Sequence, residues 1–339
     1  MQLTKFEMRM EIVLNSYGVS LKRENNGFII TNQDGRKRVS PDGITSIVVC
    51  KSASVTSDAI LLAIENDIDI VFTDKTGNVK GRVWTHKYGS ISTIRKGQLN
   101  FCKSHDALLW IREILSQKIE AQLGVLKWSG YYCPIAQIES IRNTMTRLKK
   151  LQYKLRIVNG ENVHSVAAMM RALEGSASKY YFKGLNSVLP TKYQFNGRTQ
   201  HPAKDIFNAL LNYGYGILYG RIEKALIKAG IDPYMGVLHR DEYNRPVFVY
   251  DVIERFRCWI DVVVINLLCT YGVTDHCCSF QTDGNCFLED DGRKILIQAV
   301  NVYLGELVEY DGLSRSRSSH IDLFAQEIAK MLKRYNDKY

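Results

Sequence analysis

From residue 11 to about 95 the chain alternates short apolar runs with turn residues. Glu11-Ile12-Val13-Leu14, Val19-Ser20-Leu21, Phe28-Ile29-Ile30, Arg38-Val39 and Ile44 to Val49 are separated by Asn25-Asn26-Gly27, Gln33-Asp34-Gly35 and Pro41-Asp42-Gly43. β-Branched runs broken in this way predict strands joined by tight turns. Ser57 can cap a helix reaching about Asn66. Ile68 to Phe72 reads as a buried strand and Lys75-Thr76-Gly77 as a turn. No cluster of ionisable side chains stands out in this region, so it reads as a scaffold or dimerisation module.

From Ser104 onward the apolar spacing becomes helical. Ala107 to Leu126 carries Leu108, Ile111, Leu115, Ile119 and Leu123 on one face. Ile138 to Ile157 bears a basic run, Arg142, Arg147, Lys149, Lys150 and Lys154. His164 to Leu185 has an inward stripe of Met170, Leu173, Ala177, Tyr181 and Leu185. Asp205 can cap a helix through Ala229, and further helices are expected after Asp251, Gly292 and Ile321. The polar stretch between the two patterns reads as a linker. The expected fold class is α+β: an N-terminal β-rich domain over residues 1–90, a linker over 91–104 and an all-α catalytic domain over 105–339.

The ionisable chemistry concentrates between Gly230 and Arg257. His239 follows the run Tyr234 to Leu238, and Asp241 to Pro246 reads as a polar turn. Val247 to Tyr250 looks like a short β run leading into a helix that Asp251 opens as N-cap. Glu254 lies three residues on, so the two carboxylates can face the same way. An imidazole and two carboxylates suit Mg²⁺ or Mn²⁺; a cap and a solvated face is the plainer alternative. Upstream, Glu174 lies on or beside an apolar helix face, next to Gly175 and Ser176. A charge there needs a cation. Either a metal supplies it or an ion pair does, with Arg171 the best-spaced local partner. His239-Arg240-Asp241 mimics a kinase catalytic triplet, but Asn244 is misplaced for that motif and the other kinase signatures are missing.

Composition narrows the partner. The 339 residues include 45 Lys+Arg against 35 Asp+Glu, a formal charge of +10. That balance favours a polyanion, with nucleic acid first. Thr191 to Lys204 interleaves Tyr193 and Phe195 with Arg198 and Lys204, and Arg245 and Arg257 flank the carboxylates. These four cations are the candidate nucleic-acid contacts. The 8 cysteines form no C-x-x-C pair, which fits reduced, cytoplasmic usage. No signal-peptide core and no membrane span are evident.

Five segments, in order, resemble one known family. They are Glu174-Gly175 with Tyr180-Tyr181-Phe182; Phe195-Asn196-Gly197-Arg198; Asp205 to Tyr215; Gly230 to Tyr234 with Gly236-Val237-Leu238-His239; and Asp251 to Arg257. The chain resembles the CRISPR-associated integrase, Cas-one, over nearly its whole length. One departure is Cys258, where many members carry Pro. The resemblance implies a homodimer and a metal site of Glu174, His239 and Glu254 with Asp251 in support. It also implies double-stranded DNA as substrate (prespacer and CRISPR repeat) and a small ferredoxin-like partner, Cas-two. The implied activity is capture of foreign DNA fragments and their insertion into the CRISPR array by transesterification from a 3′-hydroxyl. A stand-alone metal-dependent DNA or RNA nuclease and a non-catalytic DNA-binding scaffold are the other classes considered. His239 must be neutral to ligate metal, so activity should fall below about pH 6.5, its reference pKa.

Overall fold

The computed structural model describes residues 10–73, 79–83, 91–132, 137–200, 202–239, 245–270 and 272–336. The expected turns at Lys75-Thr76-Gly77 and within Asp241 to Asn244 lie outside the described residues. The chain divides into two compact units, Met1–Tyr88 and Gly89–Tyr339.

The first unit is built from strands β1 (Met10–Leu14), β2 (Ser20–Glu24), β3 (Gly27–Asn32), β4 (Gly35–Val39), β5 (Ile44–Cys50), β6 (Ser54–Val55), β7 (Asp69–Thr73) and β8 (Val79–Val83), with helix α1 (Ser57–Glu65). One sheet has the order β1-β5-β7-β8 and the other β4-β3-β2-β6. The turn residues Asn25-Asn26-Gly27 join the antiparallel pair β2–β3, in which Glu24 faces Gly27. Leu21, Phe28, Ile47 and Ile70 are fully buried between the layers. Thr56, not Ser57, caps α1, its side chain accepting from the Ala59 amide at 3.4 Å.

The second unit is helical: α2 (Ile91–Cys102), α3 (His105–Ser129), α4 (Ile138–Arg156), α5 (Val163–Asn186), α6 (Ile206–Lys228), α7 (Val247–Ile253), α8 (Arg257–Cys269), α9 (Asp290–Gly305) and α10 (Arg317–Lys333). Among the described residues, two short hairpins interrupt it. β9 (Cys278–Phe280) pairs with β10 (Cys286–Leu288), and β11 (Leu307–Tyr310) with β12 (Leu313–Ser316). The apolar stripes of α3, α5 and α6 meet in one core containing Leu108, Ile111, Leu115, Met170, Tyr181, Leu185, Phe207 and Leu218.

Two expectations change here. The stretch 91–104 is not an extended linker, because 91–102 form α2. Ile94, Gln98 and Phe101 recur at helical spacing and are buried, while Arg95 and Lys96 gave the segment its polar look. Gly97 permits a close approach to α10, since a Cβ there would collide with the Leu332 carbonyl oxygen. The β-like run Val247 to Tyr250 is instead the body of α7. Pro246 sets its start, and Val247, Phe248 and Val249 are buried. Packing overrides the β preference of its branched residues. Asp251 therefore lies inside the helix rather than opening it, and Glu254 follows at its C-terminal end.

Candidate active site

α5 presents Glu174, and the C-terminal end of α7 presents Glu254. The two carboxylates come from distant sequence yet meet at one point, the ammonium of Lys118 on α3. Lys118 pairs with Glu174 Oε1 and with Glu254 Oε2. Ser178 Oγ donates to the same Glu174 oxygen at 2.7 Å. Glu254 is nearly buried, and its Oε1 accepts from Arg257 Nη1 at 2.6 Å. Burial alone would raise the Glu254 pKa. Arg257 and Lys118 override it and hold the carboxyl at about 2.

His239 reaches the site on the loop after α6, and Asp251 fixes that loop. Asp251 is fully buried, and its Oδ2 accepts from the Val237 and Leu238 amides at 2.6 and 3.2 Å. Its Oδ1 accepts from the His239 amide at 3.3 Å and lies 2.7 Å from His239 Nδ1. An ionised carboxylate only accepts, so Nδ1 carries the proton and the neutral ring keeps its lone pair on Nε2. Burial pushes the imidazole pKa down, but the hydrogen-bonded Asp251, with Glu254 and Glu174 nearby, holds it above its ordinary value.

Further residues brace the loop. Arg171 does not pair with Glu174; its Nη1 donates to the Leu238 carbonyl at 3.0 Å. Gln98 of α2, fully buried, donates to the Asp232 and Met235 carbonyls at 2.8 and 3.1 Å and accepts from the Asp232 amide at 3.0 Å. Gly236 has no room for a side chain, because a Cβ would lie 2.7 Å from the His239 carbonyl oxygen. Behind Glu254, the Arg257 guanidinium lies 4.6 Å from the Tyr215 ring centre. Tyr215 and Tyr181 donate to the two oxygens of the buried Asp261 at 2.5 and 2.7 Å.

The donor chemistry fits a hard divalent ion. Glu254 Oε2 is buried without a hydrogen bond of normal geometry, and the Asp251-held imidazole follows the carboxylate–histidine pattern that orients metal ligands. Among the described residues, no group of three His, Cys, Asp or Glu side chains is arranged for an ion as it stands. Lys118 provides the positive charge between the two glutamates instead.

The four candidate nucleic-acid contacts separate. Arg257 serves Glu254. Arg198 is committed to its own surroundings: Nη1 donates to Asn208 Oδ1 at 2.8 Å and Nη2 to Asn212 Oδ1 at 2.6 Å. Lys204 is exposed and donates to Asn285 Oδ1 at 2.7 Å, at the turn before β10. Arg245 is exposed at the start of α7. A groove of about 630 Å³ runs beside Glu174, lined by Gly175, Ser178, Lys179, Phe182, Lys183 and Arg198 among others. A larger groove of about 790 Å³, lined by Trp128, Val262 and Tyr303 among others, contains none of the site residues.

Lys118, Gln98 and Asp261 were not singled out from sequence. Lys118 carried the same signal as Glu174, a charge within an apolar helical face, here between Leu115 and Ile119.

The sequence profile of the family described as CRISPR associated protein Cas1 matches residues 12–302. The chain belongs to the Cas1 family. A CRISPR-associated endonuclease Cas1 of Archaeoglobus fulgidus is 30% identical over 336 residues, covering 96% of each chain. Two solved structures share the fold. A casposase bound to integration product superposes with a TM-score of 0.78 at 20% identity, covering 96% of this chain and 90% of that one. A Cas6-RT-Cas1–Cas2 complex does so at 0.76 and 21%, covering 96% of this chain and 35% of that one. The Cas1 match spans Lys118, Glu174, His239, Asp251 and Glu254.

Proposed function

We propose that this Cas1-family chain is a metal-dependent DNA integrase and endonuclease that inserts captured fragments into a CRISPR array. The observation that carries this is the meeting of Glu174 and Glu254 at one cationic point, with His239 oriented by Asp251. Family membership and the endonuclease relative of Archaeoglobus fulgidus support it.

Glu174, His239 through Nε2 and Glu254 would hold Mg²⁺ or Mn²⁺. When bound, that ion supplies Lewis-acid polarisation of a phosphate oxygen and stabilises the oxygen displaced. The rest belongs to the protein. Asp251 keeps the proton on Nδ1 and the loop in place. Arg257 holds one Glu254 oxygen so that the other stays directed at the site. The exposed cations draw the DNA backbone in. A DNA 3′-hydroxyl attacks the phosphodiester, one P–O bond forms as another breaks, and no high-energy cofactor is consumed. Water as nucleophile gives cleavage instead. The partners proposed are double-stranded DNA, a second copy of this chain and a Cas2 protein, which the Cas1–Cas2 complex among the structural relatives supports. No helix among the described residues is long and apolar enough to cross a membrane. We place the protein in the cytoplasm, with its proposed DNA substrate.

The test is a strand-joining assay on labelled DNA. Glu174→Gln, His239→Ala and Glu254→Gln should each abolish joined product while leaving DNA binding within a few-fold of wild type. Wild-type-like joining by any of them removes that residue from the site. Cleavage without joining would point to a stand-alone nuclease.

A further inference from the structure

Lys118 projects from the apolar face of α3 and is only 3% exposed. Lysine is almost never buried to that degree unless it is paired. Here two carboxylates from different helices pair with one ammonium. The oxygens of Glu254 are divided between its partners. Arg257 takes Oε1, and Lys118 lies against Oε2. On Glu174, Lys118 and Ser178 share Oε1. The ammonium thus stands where an ion shared by the two glutamates would have to bind.

We infer that Lys118 is a built-in counter-ion of the metal-free site, competing with the divalent cation for Glu174 and Glu254 and displaced from them when the ion binds. This rests on the metal-centre reading above. With neutral His239, the three carboxylates of Glu174, Asp251 and Glu254 face the two cations Lys118 and Arg257, a local charge of −1. A dication added while Lys118 stayed in place would put two cations on the same oxygens, where like charges repel strongly. The flexible four-carbon stem lets the ammonium withdraw without moving α3, whereas the planar Arg257 fork is fixed over Tyr215. The metal-free carboxylates stay together, and the ion binds more weakly than its donor set alone would allow.

The experiment is Mn²⁺ titration of the full chain by calorimetry, for wild type, Lys118→Met and Lys118→Gln. Both neutral variants should bind Mn²⁺ about tenfold more tightly. Their metal-free melting temperatures should fall below wild type, with a larger rise on adding Mn²⁺. Lys118→Arg, which keeps the charge, should show no tightening. Equal or weaker Mn²⁺ binding by the folded neutral variants overturns the inference, because a purely structural lysine would not oppose the ion. Wild type that binds no Mn²⁺ at all sinks the metal-centre reading itself. If neither neutral variant folds, amine acylation of wild type read by mass spectrometry decides. Modification of Lys118 should accelerate with Mn²⁺, and an unchanged rate overturns the inference.

Discussion

Asp251 holds two backbone amides with one oxygen and the amide and ring of His239 with the other. Asp251→Asn keeps the shape but offers an amide donor where the ring nitrogen needs an acceptor. Mn²⁺ affinity should fall about 10- to 100-fold, as for other oriented ligand histidines. Unchanged affinity by titration would mean that Asp251 only supports the loop. The raised His239 pKa gives two trends of opposite sign. A histidine whose folded pKa exceeds its unfolded value stabilises the fold below the unfolded pKa, and that contribution is lost as pH rises through the folded pKa. Metal binding needs the neutral ring, so affinity rises across the same window. The window therefore lies above the pH of about 6.5 expected from the reference value. Denaturant unfolding of metal-free protein and Mn²⁺ titration, each against pH, check both signs; a His239→Gln variant should flatten both curves. The three ligand candidates were legible in sequence because each is a chemically unusual residue in its segment. The N-cap reading of Asp251 was misplaced, because cap preference describes a local choice and the amides it accepts from belong to the preceding loop, at Val237, Leu238 and His239.

At the scale of elements, α2 shows how a helix hides behind polar residues. Its buried face is Ile94, Gln98 and Phe101, and the middle one is an amide that looks like surface in sequence. Only the fold reveals that Gln98 pairs with the loop leading to His239. Long helices such as α3, α5 and α6 were legible within a few residues because each repeats its apolar stripe over several turns. α7 was not, since seven residues are too few to show a period and Val247, Val249, Val252 and Ile253 are β-branched. Gly97→Ala should force α2 from α10 and cost about 1–3 kcal/mol. A lowered denaturation midpoint with unchanged strand joining per folded molecule is the expected result. No loss of stability would mean that the helices separate freely.

For the whole molecule, the +10 charge bears on the proposed DNA binding. Arg142, Lys149, Lys150 and Lys154 are exposed on α4, and Arg147 lies 5.0 Å from the Tyr180 ring centre on α5. Each cation that no longer neutralises a phosphate should reduce the slope of log affinity against log salt by about 0.9. Replacing Lys149, Lys150 and Lys154 with Gln should flatten that slope by up to about three such steps, measured by fluorescence anisotropy. An unchanged slope would place the DNA elsewhere. Above all, the proposed metal centre draws its three side chains from α5, the loop after α6 and the end of α7. Anomalous diffraction from crystals of the full chain soaked in Mn²⁺ reads that out without passing through activity. One strong peak bonded to Glu174, His239 Nε2 and Glu254 is expected; a peak elsewhere, with those three side chains uncoordinated, would refute the shared centre.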